Sequence, residues 1–402
     1  MFEESFQGIT GPKGFLATGV HCGVKKAKKD LALVFSTVPA IGAAVFTQNK
    51  VPAAPIIVDK LQLKKSFRTR AIVINSGNAN ACTGERGLND AWSMAKTTAR
   101  SLGISDSEVL VSSTGVIGQY LPIEKIKSGI AEAAPTLSVE GHTDAAEAIL
   151  TTDTFTKELS VQVALDGAVV TIGGMAKGSG MIAPNMATLL AFVTTDVCIT
   201  PELLSYSLRQ GVDRSFNRIS VDGDMSTNDM VAIMANGLAC NKELSGIDDP
   251  SYKMFYDALV YLLVRLCKMV VVDGEGATKF VEIQVTGAAS EGDAVRAARA
   301  IANSSLVKTA IHGEDANWGR ILAAVGYSGI EVNPENVEIF FGNVPILRQN
   351  YRIDFSEDDA KRVLSQKEIT ITVDLHEGPG SASFWTCDLS KEYVAINANY
   401  RS

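Results

Sequence analysis

Short β-rich runs alternate with amphipathic helical segments along the whole chain, and that alternation restricts the fold to layers of sheet and helix. The strand-like runs are LALVFS from Leu31, APIIVDK from Ala54, RAIVINS from Arg70, EVLVSST from Glu108, LSVQVAL from Leu159 and GAVVTIGG from Gly167. Among the helical segments, LNDAWSMAKTTARSLG puts Leu88, Trp92, Ala95, Ala99 and Leu102 on one face, with Asn89 or Asp90 near its start and Gly103 as its stop. The second half repeats the mixture. PELLSYSLRQGVDRSF opens on Pro201 as a first-turn proline, and GDAVRAARAIANSSLVKTAI reads as one long amphipathic helix. The expected class is α/β (α+β).

With 402 residues, 46% of them hydrophobic, the chain can fill one core of two lobes or two separate cores. The least structured stretches are GMAKGSGMIAPN and NKELSGIDDPS, and a domain boundary at the first would be conventional. A net charge of -8 leaves no basic excess to neutralise a nucleic acid, so a small-molecule ligand is expected. Cys22, Cys82, Cys198, Cys240, Cys267 and Cys387 form no C-x-x-C pair and read as reduced, mostly buried thiols. His21, His142, His312 and His376 lie far apart, which leaves little material for a metal site or a Ser-His-Asp triad, and each reads as structural. The acidic N-terminus, broken by Gly and Pro, is neither a secretory signal nor a transit peptide. The longest apolar candidate, ALVYLLVRLCKMVVV from Ala258, contains Arg265 and Lys268 and reads as a core helix running into a strand. A cytoplasmic protein with no membrane span is expected.

The stretch GGMAKGSGMIAPNMATLLAFVTTD, from Gly173 to Asp196, carries the sharpest chemistry. Its glycines match neither a Walker loop nor a dinucleotide fingerprint. They could serve a plain loop, with Thr188 merely opening a strand. Alternatively, flexible glycines, Pro184 and small Ala187 could bend the Ala187–Thr188 peptide so that the threonine hydroxyl attacks its own carbonyl. Hydrolysis of the resulting ester would free Thr188 as a new N-terminus, whose α-amine, of ordinary pKa about 8, can act as base for its own hydroxyl. Acyl transfer through a covalent ester is the chemistry this permits. It needs an oxyanion hole, and VSSTGVIGQYLP offers one: a buried strand from Val109 to Ser113 ends in Thr114 and Gly115, one hydroxyl and one unhindered N–H.

Together, NSGNANACTG from Asn75, VSSTGVIG from Val111, ILTTDTFTK from Ile149, GGMAKGSGMIAPNMAT ending at Thr188, RSFNRISVDGDMSTND from Arg214, VVDGEGATKF from Val271, HGEDANWGRI from His312 and the terminal AINANYRS resemble the ornithine acetyltransferase family of arginine biosynthesis. The resemblance spans nearly the whole chain. It implies the layered sheet-and-helix fold of a self-cleaving superfamily with a smaller C-terminal lobe. It also implies cleavage between Ala187 and Thr188 into an α chain of residues 1–187 and a β chain of residues 188–402, pairing into an α2β2 assembly. Acetyl would pass from N-acetylornithine to glutamate through an acetyl-threonine. Some members also accept acetyl-CoA as a co-substrate, and no cofactor or metal is implied.

By the same resemblance, Thr188 is the nucleophile, and Thr114 with Gly115 forms the oxyanion hole. Lys177 contacts the substrate carboxylate, Glu275 receives an amino group, and Thr151, Asn397 and Ser402 complete the contacts. The register among Thr151, Thr152 and Thr154 is open. Read without the family, Lys177 in a glycine loop is a solvated lysine and Ser402 a frayed end. Glu275, between glycines after a buried strand, leans functional even alone. Asp222, Asp224 and Asp229 miss the spacing of a calcium loop and read as loop caps, while His312 and Asn317 acquire no role. Two other readings remain: a self-cleaving aminopeptidase or amidohydrolase that discharges its acyl-enzyme to water, and a non-catalytic amino-acid-binding protein.

Overall fold

The computed structural model describes residues 2–183, 189–353 and 355–399. Its larger N-terminal part is a stack of four layers, helices outside and two sheets within. The central six-stranded sheet has the spatial order Glu3–Ser5, Lys157–Leu165, Ala168–Lys177, Leu190–Thr195, Met230–Ala235 and Ile41–Phe46. A four-stranded sheet runs Phe15–Val20, Leu31–Ser36, Ala71–Asn78 and Val109–Val116.

The strand period of two explains the layering. Along Leu190–Thr195 and Met230–Ala235, Ala191, Val193, Val231 and Ile233 face the helices Pro201–Asp213 and Pro250–Val272. The alternate residues Leu190, Phe192, Met230, Ala232 and Met234 face Ala17, Ala32, Val34, Ile72 and Ile74 of the smaller sheet. Strands buried on both faces read as continuous apolar runs, as LLAFV and MVAIMA do. The smaller sheet's outer face packs on helices Ala54–Lys65, Gly84–Leu102 and Ile123–Ala133.

A separate core begins at Val281. There Phe280–Ala288 sits between Gly380–Cys387 and Glu368–Asp374 in a second six-stranded sheet, covered by helices Glu291–Asn303 and Trp318–Gly326. This is the smaller C-terminal lobe expected from the family resemblance. The glycine-rich loop is not a domain boundary, because the strands flanking it, Ala168–Lys177 and Leu190–Thr195, are antiparallel neighbours in one sheet.

Four local readings change. APIIVDK is the start of a helix, since Pro55 occupies its first turn and the following LQLKK extends it to Lys65. The helix from Pro250 continues to Val272 with no strand after it, because Gly274 and Gly276 follow at once. The stretch from Gly292 to Ile311 forms two helices, broken at Ser304, whose hydroxyl caps the second by accepting from the Val307 N–H. Of the six cysteines, only Cys267 and Cys387 are buried, and Cys82 and Cys240 are exposed.

The histidines are structural: His142 pairs with Glu158, His312 with Asp388 and His376 with Glu338, while His21 bonds the Lys28 carbonyl. Asn317 caps the helix from Trp318. Among the described residues no group of acidic, cysteine or histidine side chains is arranged to hold a metal, and no helix is long and apolar enough to cross a membrane.

Candidate active site

The site lies where the C-terminal ends of Val109–Val116 and Ala168–Lys177 meet the loop after helix Pro250–Val272. Thr114, Gly115, Thr151, Thr152, Lys177, Gly180, Asp229, Glu275 and Asn397 line one cavity of ≈ 130 Å³ together with Leu189 and Leu190. That volume is below the roughly 300–1,000 Å³ of drug-sized sites and suits an amino-acid-sized ligand. Of the residues expected in the site, the described ones therefore converge. Ala187, Thr188 and Ser402 lie outside the described residues, as does the peptide expected to be cut.

The Thr114–Gly115 strand end, expected to form the oxyanion hole, is locked from three sides. Ser76 and Gly77 pair in parallel register with Thr114 and Gly115, and the Ser113 hydroxyl donates to Asn75 Oδ1 at 2.6 Å. Asn228 donates through Nδ2 to the carbonyls of Ala79 at 2.6 Å and Ser113 at 2.8 Å. The strand, expected to end in Thr114 and Gly115, runs one residue further, to Val116. Gly115 has φ +130, and an added Cβ would lie 2.3 Å from the Gly77 carbonyl carbon, so only glycine fits this crossing.

Lys177 closes its strand with its ammonium near Thr114, Nζ donating to Oγ1 at 3.4 Å. It is buried, not a solvated loop lysine, and burial pulls its pKa below the ordinary lysine value, opposed by the negative charges of Asp153, Asp229 and Glu275. Glu275 is held by its N–H, which donates to the Ser179 carbonyl at 2.9 Å, and its Oε2 accepts from Asn397 Nδ2 at 2.8 Å. A Cβ at position 180 would lie 2.3 Å from that carboxylate, which gives Gly180 its purpose. Asn397 reaches in from the C-terminal helix Lys391–Asn399. The threonine register narrows: Thr151 and Thr152 line the cavity, whereas the Thr154 N–H and hydroxyl are spent on Asp273.

Several contributors escaped sequence reasoning. Asp222 is a loop cap as expected, accepting from the N–H groups of Met181 and Ile182. Asp229 is not. It is fully buried on the cavity wall, its Oδ2 has no hydrogen-bond partner, and burial pushes its carboxyl well above the usual carboxylate range. Beneath the cavity lie Asp153, Lys157 and Asp273, an ion cluster whose members are 116 and 4 residues apart along the chain. The i,i+4 spacing of Asp153 and Lys157 is visible in the sequence, but outside a helix that spacing carries no pairing signal.

The profile of the ArgJ family matches residues 16–402. The chain belongs to the ArgJ family. It is 53% identical over 397 residues to the arginine biosynthesis bifunctional protein ArgJ of Caldanaerobacter subterraneus subsp. tengcongensis, covering 97% of this chain and 98% of that one. The ArgJ protein of Symbiobacterium thermophilum is 50% identical over 398 residues, 98% of each chain. Among solved structures, that of the arginine biosynthesis bifunctional protein ArgJ from Bacillus halodurans is 48% identical with a TM-score of 0.51, and 98% of its chain covers 52% of this one.

Proposed function

We propose that this ArgJ-family chain is an arginine-biosynthetic acetyltransferase that cuts itself before Thr188 and moves acetyl from N-acetylornithine to glutamate. The carrying observation is the single cavity that unites a cation (Lys177), an anion (Glu275) and an oxyanion element (Thr114, Gly115) with Leu189, the residue next to Thr188. An amino acid with its carboxylate on Lys177 and its amino group on Glu275 and Asn397 would present an N-acetyl group to the remaining wall.

Thr188 attacks the acetyl carbonyl while the Thr114 hydroxyl and the Gly115 N–H stabilise the developing oxyanion. The Thr188 amine takes the hydroxyl proton and passes it to the departing ornithine amine. Glutamate then enters the same carboxylate and amine subsites and takes the acetyl group from the threonine ester. Apolar Ile117, Ile182, Leu189 and Leu190 around the cavity limit water at that ester. The relatives are named bifunctional, which supports a second activity, read here as acetylation of glutamate from acetyl-CoA. The Bacillus halodurans chain, complete against about half of this one, supports an enzyme of two chains. The two would stay together and pair as α2β2.

An intact-mass spectrum before and after brief exposure to N-acetylornithine tests this. Two chains meeting at Ala187 and Thr188, with an acetyl-sized increment on the second that glutamate removes, are expected. An uncut chain without an adduct refutes the proposal, and acetate released without glutamate makes the enzyme a hydrolase.

Lys177→Met is expected to raise KM about ten- to hundredfold, the scale of one lost charged hydrogen bond, with a smaller change in kcat. The sign of the pH effect follows from burial. Because the Lys177 pKa is depressed, its cation is lost as pH rises through a value below that of free lysine, so KM climbs on the alkaline side. An alkaline-flat KM in the wild type would refute the carboxylate role.

A further inference from the structure

Three segments carrying site residues converge below the cavity on one buried ion cluster. Lys157 Nζ donates to Asp153 Oδ1 at 2.8 Å and to Asp273 Oδ2 at 2.5 Å, and none of the three side chains is more than 2% exposed. Asp153 also accepts from the N–H of Thr151 at 2.9 Å and of Gly178 at 2.7 Å, and its Oδ2 lies 4.0 Å from Lys177 Nζ. Asp273 accepts from the Thr154 N–H at 3.0 Å, and its own carbonyl takes the Ser179 hydroxyl at 2.6 Å, two residues before Glu275. Asp153 thus fixes Thr151 and the peptide following Lys177, while Asp273 ties the Glu275 loop to the same anchor.

A buried ion cluster is a poor way to gain stability, since apolar side chains of equal volume often do as well. What apolar side chains could not do is hold these backbone N–H groups and place an anion beside Lys177. We propose that Asp153 and Lys157 are positioning residues for the substrate-carboxylate subsite, acting through Lys177 and Thr151. The inference rests on the reading of Lys177 as the carboxylate anchor. The groups facing Lys177 are Asp153, Asp229 and Glu275, which favour its cation, and Lys157 and Lys25, which oppose it. Asp153 and Lys157 therefore act on Lys177 with opposite sign. Burial competes with its two lysine neighbours at Asp153 itself, and the lysines win, holding that carboxyl below the usual range.

The test reads Lys177 directly. Cyanate carbamylates only unprotonated amines, so the extent of modification of the Lys177 peptide against pH, read by mass spectrometry, gives its titration midpoint without turnover. Asp153→Asn is expected to lower that midpoint by about one unit or more, the usual effect of losing an opposite charge within 4–6 Å. Lys157→Met is expected to raise it. In parallel, Asp153→Asn should raise KM for N-acetylornithine about tenfold with kcat less affected. Should Asp153→Asn fail to accumulate, Lys157→Met reads the same coupling in the other direction. A midpoint unmoved in either folded variant means that the cluster is only structural and overturns the proposal. Absence of turnover in the wild type would instead refute the acetyltransferase reading, with the cyanate midpoints still deciding the coupling.

Discussion

Thr188→Ala is expected to yield a single uncut chain of 402 residues with no acetyl transfer above background, a loss of order 10⁴-fold or more. The substitution removes the hydroxyl that would start the nitrogen-to-oxygen shift and, with cleavage gone, the α-amine that would serve as its base. Among the described residues the four histidines are held by structural partners and Lys177 is aimed at Thr114, so none of these five stands in for the lost hydroxyl and amine. Thr188→Ser separates the parts of the argument. It keeps a hydroxyl and should still be cut and acetylated, more slowly. Denaturing gel electrophoresis reads the cut and a coupled ornithine assay reads the transfer; normal turnover by Thr188→Ala would end the assignment.

The second large effect is expected at Gly115. In Gly115→Ala the new methyl carbon would lie 2.3 Å from the Gly77 carbonyl carbon and 2.5 Å from the Asn78 nitrogen, both backbone atoms that cannot swing aside. With φ at +130, the alanine is also strained, at a cost of about 1–3 kcal/mol. The strand end must shift, and the Gly115 N–H moves away from the position where the proposed mechanism has it meet the oxyanion. A kcat loss of about 10²–10³-fold is expected, the scale of losing one preorganised donor. Gly118→Ala is the control: it shares a positive φ of 79 but meets nothing within 4 Å, so it should pay the strain in melting temperature while retaining turnover. Equal kcat in the two variants would show that Gly115 serves the backbone path alone.

What the sequence revealed, and what it hid, follows from the range of the interactions. The continuous apolar run LLAFV and the apolar face of Leu88 to Leu102 are local signals, and they predicted a layered α/β fold. APIIVDK misled because its β-branched residues outweighed one first-turn proline until the helix-forming LQLKK was included. Lys177, Glu275 and Asn397 were named from motifs, and the cavity joins them. Asp153 carries no local signal between its threonines, since Asp273 is remote in the chain and only the fold brings Lys157 between them. Asp229 reads as a loop cap in the sequence because a buried acid at the head of an apolar strand has no local pattern that distinguishes it.

The order of the central sheet carries a consequence for assembly. The strands Leu190–Thr195 and Met230–Ala235, which follow Thr188, lie between Ala168–Lys177 on one side and Ile41–Phe46 on the other, both of which precede it. A cut after Ala187 would leave two chains interleaved like the fingers of clasped hands, neither able to withdraw without breaking a hydrogen-bonded edge on each flank. Folding must then come before scission. Two halves made as separate chains would have to build this sheet by an encounter that the uncut precursor never faces, and their recovery should depend on concentration where that of the precursor does not.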